Sequence, residues 1–153
     1  MIVGIGVDLV DIPRFERTIE RTPKLLERLF TPHERELPLH SLAARYAAKE
    51  ALIKALGGSD GVHWDEIEIA RLGDSQPPLF SLSGSTAAVV AARGITTLHL
   101  SLSHDAGLAI AYVTAEGDGG PAVVDAVGAE YVPAEDEAAL LDVPESMDPE
   151  EPR

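Results

Sequence analysis

Hydrophobic and polar positions along the chain alternate between two rhythms. Met1 to Val7 is β-branched and glycine-spaced, which predicts a strand ending at Asp8. Asp11-Ile12-Pro13 then opens a short helix, the acid serving as cap and the proline fitting the first turn. Pro23 starts a second helical stretch, Lys24 to Phe30, which Thr31-Pro32 separates from His33 to Leu37. Ser41 is placed to cap the strongest helix, Leu42 to Leu56, rich in alanine and leucine and closed by Gly57-Gly58. Ile67 and Ile69 alternate with Glu66 and Glu68 as in a half-buried strand, with Leu79 to Leu82 its expected partner. Ser83 or Ser85 caps a small-residue helix, Thr86 to Arg93, stopped by Gly94. Leu98, Leu100 and Leu102 alternate with polar residues. His104-Asp105-Ala106-Gly107 is a tight turn, and Leu108 to Val113 returns as the hairpin mate. Strands and helices mix without a βαβ rhythm and no repeat is visible, so the expected class is α+β.

Composition changes after Thr114. Residues 115–153 are dominated by Glu, Asp, Ala, Pro and Gly, the signature of an acidic tail, with a short helix expected near Glu135 to Leu141. This divides the chain into a domain, 1–114, and a tail, 115–153. The formal charge of −14 therefore misleads: residues 1–113 carry −3 and residues 114–153 carry −11, whereas Arg14 to Lys54 carries +3. A basic stretch inside an acidic protein keeps an acidic partner in play. Cysteine is absent, which excludes disulfides, zinc–thiolate sites and thiol nucleophiles and suits a reducing cytosol. Met1 to Val7 lacks a basic n-region and is cut short by Asp8, unlike a signal peptide. No apolar run approaches membrane-spanning length.

Three motifs carry candidate chemistry. In Gly4-Ile-Gly6-Val-Asp8 the dinucleotide fingerprint fails, because Leu9 stands where its third glycine belongs, yet Asp8 is an unusual residue for a strand mouth. In Arg45-Tyr46-Ala-Ala-Lys49-Glu50-Ala-Leu-Ile-Lys54, the residues Tyr46, Glu50 and Lys54 recur every fourth position and line one helical face. The plain reading is a solvated Glu50–Lys54 pair contributing about 0.2–0.5 kcal/mol. The alternative is a carboxylate and an ammonium placed to hold a metal and a phosphate side by side. In Ser101-Leu-Ser103-His104-Asp105 the plain reading is turn chemistry; adjacent residues on one strand end cannot converge as a catalytic triad must.

Taken together, in this order and spacing, the motifs closely resemble those of the small holo-acyl carrier protein synthases, the short phosphopantetheinyl transferases. The resemblance covers roughly residues 1 to 114. It implies a phosphopantetheinyl transferase-like fold, with a small antiparallel sheet packed with helices and one long central helix. It also implies transfer of 4′-phosphopantetheine from coenzyme A to a serine of acyl carrier protein, as fatty acid biosynthesis requires, with release of 3′,5′-ADP. By the same resemblance, Asp8 and Glu50 would be Mg²⁺ ligands, Lys54 and His104 would hold phosphate oxygens, and Arg45 would lie on the nucleotide side. Glu50, directly or through a metal-bound water, would take the serine proton, the water route being favoured because a metal-binding carboxylate is a poor direct base. A cytoplasmic homotrimer with sites between subunits is expected, with no nucleic acid or membrane partner. Arg14, Arg17 and Arg21, on one face of the first helix, would dock the acidic carrier, Arg14 foremost. The linker before the central helix is short for the family, and the tail has no counterpart in it. Two other readings are a different Mg²⁺-dependent phosphate-handling enzyme, which would need no carrier, and a non-catalytic acidic-tailed interaction module, which would tolerate alanine at Asp8 and Glu50.

Overall fold

The computed structural model describes residues 1–71 and 76–118. Strand β1 (Ile2–Asp11) leads into helix α1 (Ile12–Arg21) and a short helix α2 (Leu25–Leu29). After a 3₁₀ turn at Glu34–Glu36 comes the long helix α3 (Leu39–Leu56). The strands β2 (Ile67–Ala70) and β3 (Leu79–Leu82), helix α4 (Gly84–Ala92) and the hairpin β4 (Ile95–Asp105) and β5 (Leu108–Gly117) follow. The expected α+β class is what forms.

Local chemistry sets most boundaries. The Asp11 carboxylate accepts from the Arg14 N–H at 2.8 Å and Pro13 occupies the first turn of α1. Gly57 ends α3 in the left-handed region, φ 78°. Ala106 and Gly107, with φ of 49° and 77°, make the two-residue turn that joins β4 to β5. β1 continues beyond Asp8 to Asp11, and β5 runs past Thr114 to Gly117, into the segment read from composition as tail. Residues 119–153, including the expected helix near Glu135, lie outside the described residues. α3 begins at Leu39, not Leu42, with Pro38 rather than Ser41 at its cap. Proline enters a first turn without losing a hydrogen bond, and the Ser41 carbonyl instead accepts from Arg45.

The strands form a three-stranded antiparallel sheet, ordered β1-β5-β4, and a separate β2-β3 pair. α3 lies across one face of the larger sheet, and small residues let it come close. β5 offers Ala109, Ala111, Val113 and Ala115, and α3 offers Ala43, Ala47, Ala48 and Ala51, all fully buried. Gly4 and Gly6 of β1 face the backbone of α3 directly: an added Cβ would collide with the carbonyl oxygens of Ala55 and Ala51. Aromatic rings close the core at the other side of the helix, with Tyr46 stacked on Trp64 (5.3 Å) and tilted on Phe15 (5.5 Å). The opposite face of the sheet has no layer over it among the described residues. It exposes Ile5, Val7 and Leu9 of β1 beside Ile110 and Tyr112 of β5, each 39–58% accessible.

Candidate active site

The glycine-lined approach of α3 to β1 sets up the first cluster. Asp8 follows Gly4 and Gly6 on the inward face, opposite Ala111 of β5. Its carboxylate meets the Lys54 ammonium at 2.7 Å, and Lys54 also donates to the Val7 carbonyl. Glu50 lies one turn before Lys54 on α3 and is half-buried. Burial pushes the Asp8 carboxyl above its ordinary value, and contact with Lys54 only partly offsets this. A carboxylate so placed favours a cation beside it. The predicted Tyr46–Glu50–Lys54 line does not run along the surface: Tyr46 is buried in the aromatic core, Glu50 is half-buried and Lys54 is exposed.

A second cluster lies at the other edge of the sheet. His104 of β4 packs its ring against His40, in the first turn of α3, at 5.5 Å. A cleft of about 460 Å³ opens there, lined by His40, Ser41, Arg45, Arg71, Ser103 and His104 among others. The Arg45 Nη1 donates to the Ser41 carbonyl, while its Nε is buried with no hydrogen-bond partner among the described residues. Burial lowers the Arg45 pKa, and Glu34 at 3.8 Å pulls it back. Two arginines and two imidazoles around a polar cleft suit a phosphate group.

Arg45 and His104 are thus brought together, whereas Lys54 is not with them but beside Asp8 and Glu50. α3 passes between the two clusters, with its N-terminal end over His104 and its alanines 51 and 55 over Gly6 and Gly4. His40 and Arg71 were missed from the sequence. His40 would have been found had Pro38 been recognised as the helix start; Arg71 follows a strand end and carries no pattern.

Between the clusters lies a buried ionic group that the motif concealed. Lys49 is fully buried and donates to Glu34 (2.7 Å), the Leu29 carbonyl (2.6 Å) and the Trp64 carbonyl (3.1 Å). Glu34 also accepts from the Thr31 and Ile69 N–H groups. Burial lowers the Lys49 pKa, against the pull of Glu34. Lys49 ties α3 to α2 and to the turn before β2, a structural task, while its neighbour Glu50 is half-buried.

The arginines of α1 are exposed, and no described carboxylate lies within ion-pair distance of them. At about 100° per residue, Arg14, Arg17 and Arg21 share one flank of α1 beside the buried Phe15 and Thr18. Glu16 and Glu20 stack on the other flank. Both Arg17–Arg21 and Glu16–Glu20 are like-charged pairs one turn apart, an arrangement that costs helix stability. Glu20 follows Arg17 by three residues, a neighbouring position on the helix surface, yet no ion pair forms between them.

Comparison with known proteins gives this arrangement its class. Residues 4–113 match the family model of the 4′-phosphopantetheinyl transferase superfamily, and the chain belongs to that superfamily. Within it the chain is an enzyme of the holo-[acyl-carrier-protein] synthase type. It is 60% identical over 119 residues to the holo-[acyl-carrier-protein] synthase of Clavibacter sepedonicus, covering 78% of this chain and 99% of that one. Among solved structures, the holo-[acyl-carrier-protein] synthase of Neisseria meningitidis is 31% identical with a TM-score of 0.70, over 76% of this chain and 99% of that chain. The Helicobacter pylori enzyme in complex with coenzyme A is 36% identical with a TM-score of 0.65, over 73% and 99%. No helix among the described residues is long and apolar enough to cross a membrane.

Proposed function

We propose that this enzyme moves the 4′-phosphopantetheine group of coenzyme A onto a serine of apo-acyl carrier protein, releasing 3′,5′-ADP, in a Mg²⁺-dependent reaction at Asp8, Glu50 and Lys54. The observation that carries the reading is Asp8, a carboxylate held short of solvent at 2.7 Å from Lys54 and facing the helix that bears Glu50. The donor set fits the metal. Among the described residues no group of three or more ligating side chains occurs. Mg²⁺ needs only one or two carboxylates when water and substrate phosphates fill the remaining positions. Asp8 and Glu50 would hold it, and once bound it would neutralise charge on the pyrophosphate of coenzyme A.

The residues of the chain supply the rest. Lys54, exposed at its tip, reaches a phosphate oxygen beside Asp8. Arg45 and His104, with Ser41 and Ser103 nearby, hold the more distant phosphate of the nucleotide in their cleft. The carrier serine attacks the β-phosphorus. Its Oγ–P bond forms as the bond to the 3′,5′-ADP oxygen breaks, and Glu50 accepts the hydroxyl proton, directly or across one water. Positioning and charge neutralisation do most of the work in such a transfer.

That α3 runs between the Asp8 cluster and the His104 cleft supports a reading in which two copies each contribute one half of a site. The uncovered apolar face of β1 and β5 supports a homotrimer in which one copy's Asp8 and Glu50 meet a neighbour's His104 and Arg45. The arginine flank of α1 supports docking of an acidic carrier, Arg14 foremost.

Intact-mass spectrometry of apo carrier protein incubated with the enzyme, coenzyme A and Mg²⁺ tests the reading. A gain of one phosphopantetheine, absent with EDTA and lost in Glu50→Ala, is expected. No gain with several carriers and folded enzyme would refute it.

A further inference from the structure

The arginine flank of α1 presents three cations to solvent with no ion-pair partner among the described residues. Arg14, Arg17 and Arg21 are exposed, stand within a turn or two of one another and meet no described carboxylate. Lys24 and Arg28, in the segment that follows α1, are also exposed, with Glu27 between them. The chain itself carries a complementary charge: residues 119–153 hold ten carboxylates against one arginine, with Glu135, Asp136 and Glu137 contiguous.

Geometry permits the two to meet. The acidic segment begins after Asp118, whose N–H donates to the Gly94 carbonyl, next to the Gly117–Met1 backbone bond. α1 begins at the far end of the same strand pair, where the Ile12 N–H donates to the Gly107 carbonyl at the hairpin turn. β5 spans the interval, about 30 Å at strand rise. A chain the length of 119–153 is about 115 Å when extended, so it reaches α1 with most of its length to spare.

We infer that the acidic segment 119–153 docks on the Arg14–Arg17–Arg21 flank of α1 and competes there with the carrier protein. The competition rests on the proposed carrier-docking role of this flank; the intramolecular contact does not. A tethered segment needs little intrinsic affinity, because its effective concentration is of millimolar order. Such a contact weakens with salt, since its partners are exposed. If the segment covers the flank about two-thirds of the time, the apparent KM for carrier is about threefold higher than for a bare flank, with kcat unchanged.

Two measurements on the full chain test this. The protein has no cysteine, so Ser146→Cys accepts a single nitroxide label. At low salt the label is expected to broaden the amide resonances of Arg14 to Arg21, and 0.5 M salt should restore them. Broadening confined to the surroundings of Gly94 and Met1, where the chain leaves β5, would overturn the contact. So would broadening centred on His40 and Arg71, the other cationic surface. The second measurement neutralises the segment with Glu135→Gln, Asp136→Asn, Glu137→Gln, Asp148→Asn, Glu150→Gln and Glu151→Gln together. The KM for carrier should fall about threefold at low salt and not at high salt. An unchanged KM would overturn the competition. Failure to modify any carrier would count against the proposed function alone, because the resonance measurement needs neither carrier nor turnover.

Discussion

Gly6 of β1 lies directly under the Ala51 carbonyl of α3, so close that a Cβ there would overlap that oxygen and come within 2.8 Å of the Ala55 nitrogen. The contact holds Asp8, two residues on, at the height of Lys54. Both opposing groups are backbone, so no side chain can move aside. Gly6→Ala is therefore expected to lose about 1–3 kcal/mol of stability from overpacking. Activity should fall further than stability, because any lift of α3 carries Glu50 and Lys54 away from Asp8. Chemical denaturation and steady-state kinetics on the folded fraction would separate the two effects. An unchanged kcat in Gly6→Ala would show that the spacing is not critical.

Lys49 and Glu50 are neighbours in sequence with opposite duties. Lys49→Met would leave Glu34 buried with its charge no longer balanced by the ammonium that touches it. Removing one partner of such a pair typically costs about 3–5 kcal/mol. We expect Lys49→Met to unfold at much lower denaturant concentration, whereas Glu50→Ala should shift the midpoint much less and lose turnover. Equal midpoints for the two variants would contradict this division.

Glu66 gives a pH dependence that has nothing to do with the site. Its carboxylate accepts from the N–H and hydroxyl of Thr86 and of Ser85, capping α4 from outside that helix. The Thr86 N–H, followed by its hydroxyl, holds the carboxyl down to about 2 from an ordinary 4.5. A depressed pKa means stability that is present in full above 4.5 and lost as pH falls towards 2. In Glu66→Gln the thermal midpoint should be lower at pH 7, and the gap from the parent should close between pH 4.5 and 2. A gap that persists at pH 2 would assign the loss to something other than charge.

Sharing of sites between copies can be tested without seeing the assembly. Glu50→Ala and His104→Ala should each be inactive alone. Co-expressed in equal amounts, they should regain about a quarter of the sites, those that draw Glu50 from one copy and His104 from its neighbour. No recovery in a mixed assembly would place both residues in the same copy's site.

The exposed sheet face predicts how to break that assembly. Tyr112→Glu introduces charge where β1 and β5 present their apolar side chains, on the face away from α3. Sedimentation should then report a single chain with a folded circular dichroism spectrum. A trimer that survives Tyr112→Glu would locate the interface elsewhere.

The sequence reading succeeded where local chemistry decides and failed where packing does. Asp11, Gly57 and the Ala106-Gly107 turn act within a few residues of themselves, so their elements were legible. The start of α3 was misplaced because Ser41 is a better cap by type than Pro38, although serine there is already inside the helix. Spacing groups Tyr46 with Glu50 and Lys54, because spacing alone cannot tell a surface stripe from one that passes into a core. The Lys49–Glu34 pair was invisible, since its partners come from α2, α3, and the segment between them, and meet only in the fold. The grouping of Arg14, Arg17 and Arg21 on one face of α1 was legible from helical spacing; the absence of an ion pair to Glu16 or Glu20 was not, because spacing does not fix side-chain rotamers.

α3 also acts as a ruler. Arg45 and Lys54 stand on one uninterrupted helix, about 13.5 Å apart along its axis at the standard rise. That length is set by covalent geometry and not by any loop, so neither end can be tuned without the other. One residue inserted between them would turn one end by about 100° against the other and break both clusters at once. A full added turn would restore the facing but lengthen the span by about 5.4 Å. The separation of Arg45 and Lys54 is therefore a property of α3 alone, and no change outside that helix alters it.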